Sequence, residues 1–314
     1  MKPTFAIPVL AAALIANPLE AAMKKTVTFE SAGQTLAGDL YLPDDYEEGD
    51  KLPAVVVTGA WTTVKEQMAG TYAAELADRG YAALAFDFRG WGESPDAVSY
   101  LEDPARKSED IDAAVNFLAS RPEVDGARIA GLGICASAGY MSDVALANGR
   151  VRSLALVAPW LHDRQIVEDT YGGAESVAAL IQAGRDAEAS AEPVILEAAS
   201  MTNENAVMYQ APYYTEEHRG LTPEYDNKFN AASWEGWLTY DALVTADSLD
   251  KPTLLVHSEA AAIPQGAEAY ADRMGDNATS LWLDEVTQFD FYDRPDVVAT
   301  SADAVADHFE RTLR

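Results

Sequence analysis

The sequence predicts an α/β fold: a mostly parallel, eight-stranded sheet flanked by helices. Two patterns carry that prediction. Apolar runs of strand length, such as residues 52–59 and 81–88, are nearly continuous, as strands buried on both faces read. Segments with helical spacing separate such runs, and strands that alternate with helices form parallel sheets through right-handed crossovers. A chain of 314 residues, 48% hydrophobic and 23% charged, has the composition of a globular protein and the length to bury a large core.

At the N-terminus, Lys2 precedes an apolar run of about a dozen residues, too short to span a bilayer and typical of a secretory signal. Asn17-Pro18 and the small pair Ala21-Ala22 follow it. Residues 1–22 are therefore expected to be a signal peptide that sends the protein to the periplasm or outside the cell. A start at Met23 would leave it in the cytoplasm. Residues 23–314 then form a single domain.

Residues 26–30 and 35–42 alternate apolar and polar side chains and read as two strands joined around Gly33. The third and fourth strands, 52–59 and 81–88, enclose a helix over 71–80 that Gly80 closes. Ile111, Ala114, Val115 and Leu118 fall at i, i+3, i+4 and i+7, marking the apolar face of a second helix. Residues 128–133, 153–158, 253–257 and 280–283 supply four more strands, and Val298, Ala302, Val305 and Phe309 line a closing helix. Between strands six and seven, residues 161–250 break the rhythm, as a functional insertion does, and form a lid rich in aromatics. Tyr209, Tyr213, Tyr214, Tyr225, Phe229, Trp234, Trp237 and Tyr240 could form the lid's own core or wall a pocket for an apolar, ring-bearing ligand.

Charge and cysteine count exclude several functions. With 22 basic and 51 acidic side chains the net charge is −29, which repels phosphate backbones and makes nucleic acid an unsuitable partner. One cysteine and four histidines allow neither an intramolecular disulfide nor a cysteine-based zinc site. No phosphate loop, dinucleotide fingerprint or metal-ligand cluster appears, so neither a cofactor nor a metal is expected.

The chemistry concentrates at 131–139, Gly-Leu-Gly-Ile-Cys-Ala-Ser-Ala-Gly, where a buried strand ends and a helix of small residues begins. A nucleophile on such a turn needs small neighbours, so that the backbone can fold sharply and a substrate carbonyl can approach. Cys135 stands at the tip, and a helix N-terminus there is expected to lower its thiol pKa. The competing reading is a buried structural cysteine.

From these residues the chain resembles an α/β-hydrolase of the dienelactone-hydrolase-like branch, whose elbow carries cysteine in place of serine. Residues 87–94, Asp-Phe-Arg-Gly-Trp-Gly-Glu-Ser, are similar to the turn after that superfamily's fourth strand, and 58–61, Thr-Gly-Ala-Trp, stand at its oxyanion loop. Segments 225–229 and 233–238 resemble the insertion of bacterial and fungal relatives, including polyketide-transferase-like hydrolases. The resemblance implies an α/β-hydrolase fold with its lid between strands 6 and 7. It also implies an oxyanion hole made by the backbone N–H of Ala136 with that of Ala60 or Trp61.

Two positions depart from the family. Ser137 stands where the second elbow glycine belongs, and Gln288 stands where the catalytic histidine is expected. Glutamine cannot take a proton at neutral pH. The acid position after strand seven offers Glu259, where aspartate is usual. His162, just after strand six, is the candidate substitute base; a hydrogen-bonded structural role is its alternative. His257 ends strand seven without a catalytic role, and His218 and His308 read as surface residues. Asp87 and Asp290 are further acid or base candidates.

A thiol of pKa ~8.5 is still a few per cent thiolate at neutral pH and can attack an activated acyl group. Deacylation suffers more, because general base catalysis typically contributes ~10²–10⁴-fold. The expected activity is acyl-enzyme chemistry on an ester, lactone or thioester with a small apolar or ring-containing acyl group, with slow hydrolysis or acyl transfer. The alternatives are a lyase, isomerase or cyclase on the same scaffold, and a catalytically silent ligand-binding protein.

Overall fold

A computed structural model describes residues 22–314; the expected signal peptide falls outside the described residues except for Ala22. The eight strands are β1 (Met23–Ser31), β2 (Gln34–Leu42), β3 (Leu52–Thr58), β4 (Ala82–Phe86), β5 (Val124–Ile134), β6 (Val151–Val157), β7 (Thr253–His257) and β8 (Ala278–Trp282). They form one sheet in the order β1-β2-β4-β3-β5-β6-β7-β8. The alternating β1 and β2 pair antiparallel with each other, and β2 pairs antiparallel with β4. The pairings from β4 through β3 to β8 are parallel. This is the α/β-hydrolase sheet the sequence predicts, and the continuous apolar runs supply its fully buried strands: Val55, Val56, Val57, Leu84, Leu154 and Leu156 have no exposed surface.

Helices α1 (Met68–Ala77), α2 (Pro104–Ala119) and α3 (Ser137–Ala147) follow β3, β4 and β5. The predicted face of α2 is buried through Ile111, Ala114, Val115 and Leu118, and α2 packs against α3 on β5. Asp103 caps α2 by accepting from the Arg106 N–H. After β6 come α4 (Arg164–Thr170), α5 (Ala174–Glu188) and α6 (Ser233–Thr239), after β7 comes α7 (Pro264–Met274), and after β8 come α8 (Asp290–Asp293) and α9 (Pro295–Thr312). Helix α9 packs against α1 and carries His308 on its buried face. This corrects the surface reading of His308, whose Nε2 lies 3.0 Å from Ser153 Oγ; His218 is exposed as expected.

The segment between β6 and β7 holds α4, α5 and α6 with short pairings, Lys228–Asn230 on Ile195–Glu197 and Ala199–Ser200 on Met208–Tyr209. Its aromatics divide between the two uses the sequence leaves open. Phe229 and Trp234 pack on each other at 5.0 Å within the lid and seat it on Trp61 of the loop after β3, at ring-centroid distances of 4.9 and 6.0 Å. Tyr209, Tyr214 and Trp237 face a cavity over the C-terminal ends of β3 and β5.

Candidate active site

Strand β5 ends at Ile134, and the next residue, Cys135, turns left-handed with φ +57°. Such a conformation is costly for a side chain with a Cβ and persists only where the surroundings hold it. Here the Cys135 N–H donates to Val157 O at 3.1 Å, and the Cys135 carbonyl accepts from the Ala138 and Trp160 N–H groups at 3.0 Å each. Gly133 is required by close approach, since a Cβ there would sit 2.7 Å from Ala138 Cα. Ser137 does more than substitute for glycine. Its Oγ accepts from the Ile134 N–H at 3.1 Å and donates to Thr58 O at 2.9 Å, tying the elbow to the end of β3.

Cys135 is 7% exposed, on the floor of a cavity of about 410 Å³. Trp61, Trp160, Tyr171, Tyr209, Tyr214, Trp237, Phe289 and Tyr292 give it aromatic walls, and no charged side chain among the described residues lines it. Burial pushes the thiol pKa up; Tyr292, the Ala136 and Trp61 N–H groups and the Gln288 amide oppose the rise by hydrogen bonding. The expected lowering by the helix N-terminus is therefore overturned: desolvation of a charged sulfur outweighs the local donors. Of the two candidate donors on the loop after β3, Trp61 turns its N–H toward the sulfur, whereas the Ala60 N–H is spent on Met68 Sδ at 3.5 Å.

Gln288 stands beside the thiol, and its amide is anchored to three further groups. Its Oε1 accepts from the Ala262 N–H at 3.0 Å, and its Nε2 donates to Ala158 O at 2.9 Å and to the Tyr292 hydroxyl at 2.8 Å. Because Tyr292 accepts from Gln288, its own proton is free to turn toward Cys135, which lines the same cavity. Burial first, and the nearby Cys135 second, push the Tyr292 pKa well above its ordinary value, so the phenol is neutral at physiological pH. Sequence reasoning passes over Tyr292; its one signal is a spacing of four from Gln288 at the start of a helix.

The remaining candidates lie elsewhere. Glu259 is exposed and Gln288 makes no bond to it. His162 is 1% exposed with both ring nitrogens engaged, Nδ1 accepting from Trp160 Nε1 at 3.0 Å and Nε2 lying 3.2 Å from Trp237 O. Burial pushes its pKa down to about 4. It holds the lid as a neutral structural histidine and does not line the cavity, which removes it as a substitute base. His257 is likewise buried, pKa about 4, against Ala262 O. Asp87 accepts from the Lys65 and Glu93 N–H groups, and Asp290, at the start of α8, accepts from the Thr287 N–H of the preceding loop. Glu66, Asp87 and Glu93 cluster as metal ligands do, but the Lys65 ammonium lies 2.5–2.9 Å from all three carboxylates and supplies their counter-charge.

A mostly parallel sheet with an antiparallel edge and a left-handed elbow at the end of β5 define the α/β-hydrolase architecture. Residues 54–301 match the alpha/beta hydrolase family, and the chain belongs to it. It is similar to the uncharacterized protein YcjY of Escherichia coli strain K12, 29% identical over 309 residues that cover 93% of this chain and all of YcjY. The uncharacterized protein PA2218 of Pseudomonas aeruginosa is 31% identical over 94% of this chain and 83% of its own length. Its crystal structure superposes with a TM-score of 0.82 at 27% identity, covering 98% of this chain and 100% of the other. Over a shorter stretch, 40% of this chain and 41% of the relative, the polyketide transferase claH of Penicillium crustosum is 32% identical.

Proposed function

We propose that this hydrolase forms an acyl-enzyme at Cys135 from a thioester, lactone or activated ester with an apolar, ring-bearing acyl group. The observation that carries the reading is the cysteine at φ +57° on the floor of a charge-free aromatic cavity, with the Ala136 and Trp61 N–H groups beside its sulfur. The relative named for polyketide transfer supports it as an analogy, since polyketide chains travel as thioesters.

In the proposed reaction the Cys135 sulfur attacks the acyl carbon and a new S–C bond forms. The carbonyl oxygen becomes an oxyanion between the two N–H groups, and its collapse expels the substrate thiol. The proton leaving Cys135 passes through the Tyr292 hydroxyl to that departing sulfur, so Tyr292 is neutral before and after. Thiol exchange of this kind needs no net base. Deacylation by water does, and none of the described residues that reach the sulfur is a base at neutral pH. The acyl-enzyme is therefore long-lived, and transfer to a strong nucleophile is favoured over hydrolysis.

The test is incubation with a phenylacetyl thioester followed by intact-mass measurement. A single acyl adduct on Cys135, lost in Cys135→Ala, is expected. Turnover of the thioester by Cys135→Ala at the wild-type rate would refute covalent catalysis.

A further inference from the structure

We infer that Thr63 and Glu102 are positioning residues that aim the Trp61 N–H at the reacting carbonyl; the inference rests on the acyl-enzyme reading above. The peptide between Ala60 and Trp61 is planar, so its C=O and N–H point in opposite directions. Thr63 Oγ1 donates to that carbonyl, Ala60 O, at 2.6 Å. Anchoring the oxygen on this side turns the Trp61 N–H to the other, where Cys135 lies. The anchor is itself tightly placed, since a Cβ on Gly59 would come within 2.5 Å of the Thr63 hydroxyl.

The following peptide is held by Glu102. Thr62 is fully buried at φ +64°, a conformation that is an outlier for a β-branched residue. Its N–H donates to Glu102 Oε2 at 3.2 Å, and its Oγ1 lies 3.1 Å from the Tyr225 hydroxyl of the lid. Glu102 has no exposed surface, although an ionised carboxylate is costly to bury unless its lone pairs are satisfied. Lys107 Nζ donates to Oε2 at 2.7 Å, the Tyr140 hydroxyl of α3 donates to Oε1 at 3.0 Å, and the Glu102 N–H donates to Ser233 Oγ of α6 at 2.9 Å. One residue thus joins the oxyanion loop, α2 and the elbow helix through its carboxylate and the lid through its backbone N–H. The strained Thr62 has a function in this arrangement: it carries the chain from the Trp61 donor into an anchor that cannot rotate.

Two reagents that meet the same thiol separate positioning from general damage. Iodoacetamide alkylates Cys135 by displacement at a saturated carbon and develops no oxyanion, whereas a thioester acylates it through one. Removing one oxyanion donor typically costs ~10²–10³-fold, so misaiming it in Thr63→Val should slow acylation ~10–100-fold while leaving alkylation within about twofold, both rates being compared at the high-pH plateau where the thiol is fully ionised. Thr63→Ser, which keeps the hydroxyl, should restore acylation. For Glu102, the charge-balanced pair Glu102→Gln with Lys107→Met retains an acceptor and should stay close to wild type, whereas Glu102→Leu with Lys107→Met should lose acylation selectively. Equal loss of acylation and alkylation, or no loss of either in Thr63→Val, would overturn the positioning role. A wild-type thiol that is alkylated but never acylated would instead overturn the acyl-enzyme reading on which it rests.

Discussion

Replacing Gln288 with histidine tests the chemistry most directly, because Gln288 occupies the position beside the thiol and lacks only a titratable nitrogen. A thiol of ordinary pKa ~8.5 is about 3% ionised at pH 7, and the buried Cys135 is less so. An adjacent imidazolium that brings the pKa near 7 would ionise about half, a gain of at least ~15-fold in thiolate. Intrinsic nucleophilicity falls as the pKa falls, with a Brønsted slope of ~0.4–0.5, and this returns roughly fivefold of the gain. Acylation should therefore rise by at least about threefold. Deacylation, which gains a general base, should rise ~10²–10⁴-fold. The substitution removes the bonds to Ala158 O and the Ala262 N–H, at a cost of about 1 kcal/mol each, which leaves the fold intact. Burst and steady-state phases of p-nitrophenyl ester cleavage separate the two steps. A folded Gln288→His protein whose steady-state rate is unchanged would refute both the placement of Gln288 and the argument that a missing base limits turnover.

Three further outcomes follow from the same geometry. Tyr292→Phe removes the hydroxyl that opposes the burial of Cys135, so the thiol pKa should rise further, displacing the alkylation-rate profile to higher pH and lowering the rate at pH 7; an unmoved profile would count against the bond between them. His162 has its pKa depressed to about 4 against ~6.5 unfolded, so the unfolded chain binds a proton the folded chain refuses. Its share of stability is present above pH 6.5 and is lost as the pH falls toward 4, about 2 kcal/mol by pH 5. In urea unfolding at pH 7 and pH 5, His162→Gln should lose about that much less than wild type, and parallel losses would contradict it. Finally, export predicts that the protein is recovered from the periplasm or the medium and begins near residue 23 by intact mass; a chain of that mass confined to the cytoplasm, or a full-length chain, would exclude it.

Much of the fold was legible because its signals are local. The continuous apolar runs at 52–59 and 81–88, the i, i+3, i+4, i+7 face of α2 and the small residues at 131–139 each report a neighbourhood of a few residues, and strands, helix and elbow stand where those patterns lie. Polar partnerships were legible only in part. Cys135 could be placed because it follows directly on a strand end with small neighbours, and Gln288 because the family resemblance puts a histidine at its position. Tyr292, Thr63 and Glu102 could not, since nothing in their neighbours says that Glu102 will meet Thr62, or that Tyr292 will accept from Gln288 and face the sulfur.

The sequence by itself determined the order of strands and helices, the elbow and the identity of the one thiol on it, because backbone preference and hydrophobic period are properties of short segments. Only the tertiary structure decided the state of that thiol. A helix N-terminus argues for a low pKa, but burial under Trp160, Tyr214 and Trp237 argues for a high one, and desolvation is the sum of everything packed around a group. The same holds for His162, a candidate base by position that becomes a neutral strut once Trp160 and Trp237 close on both its nitrogens.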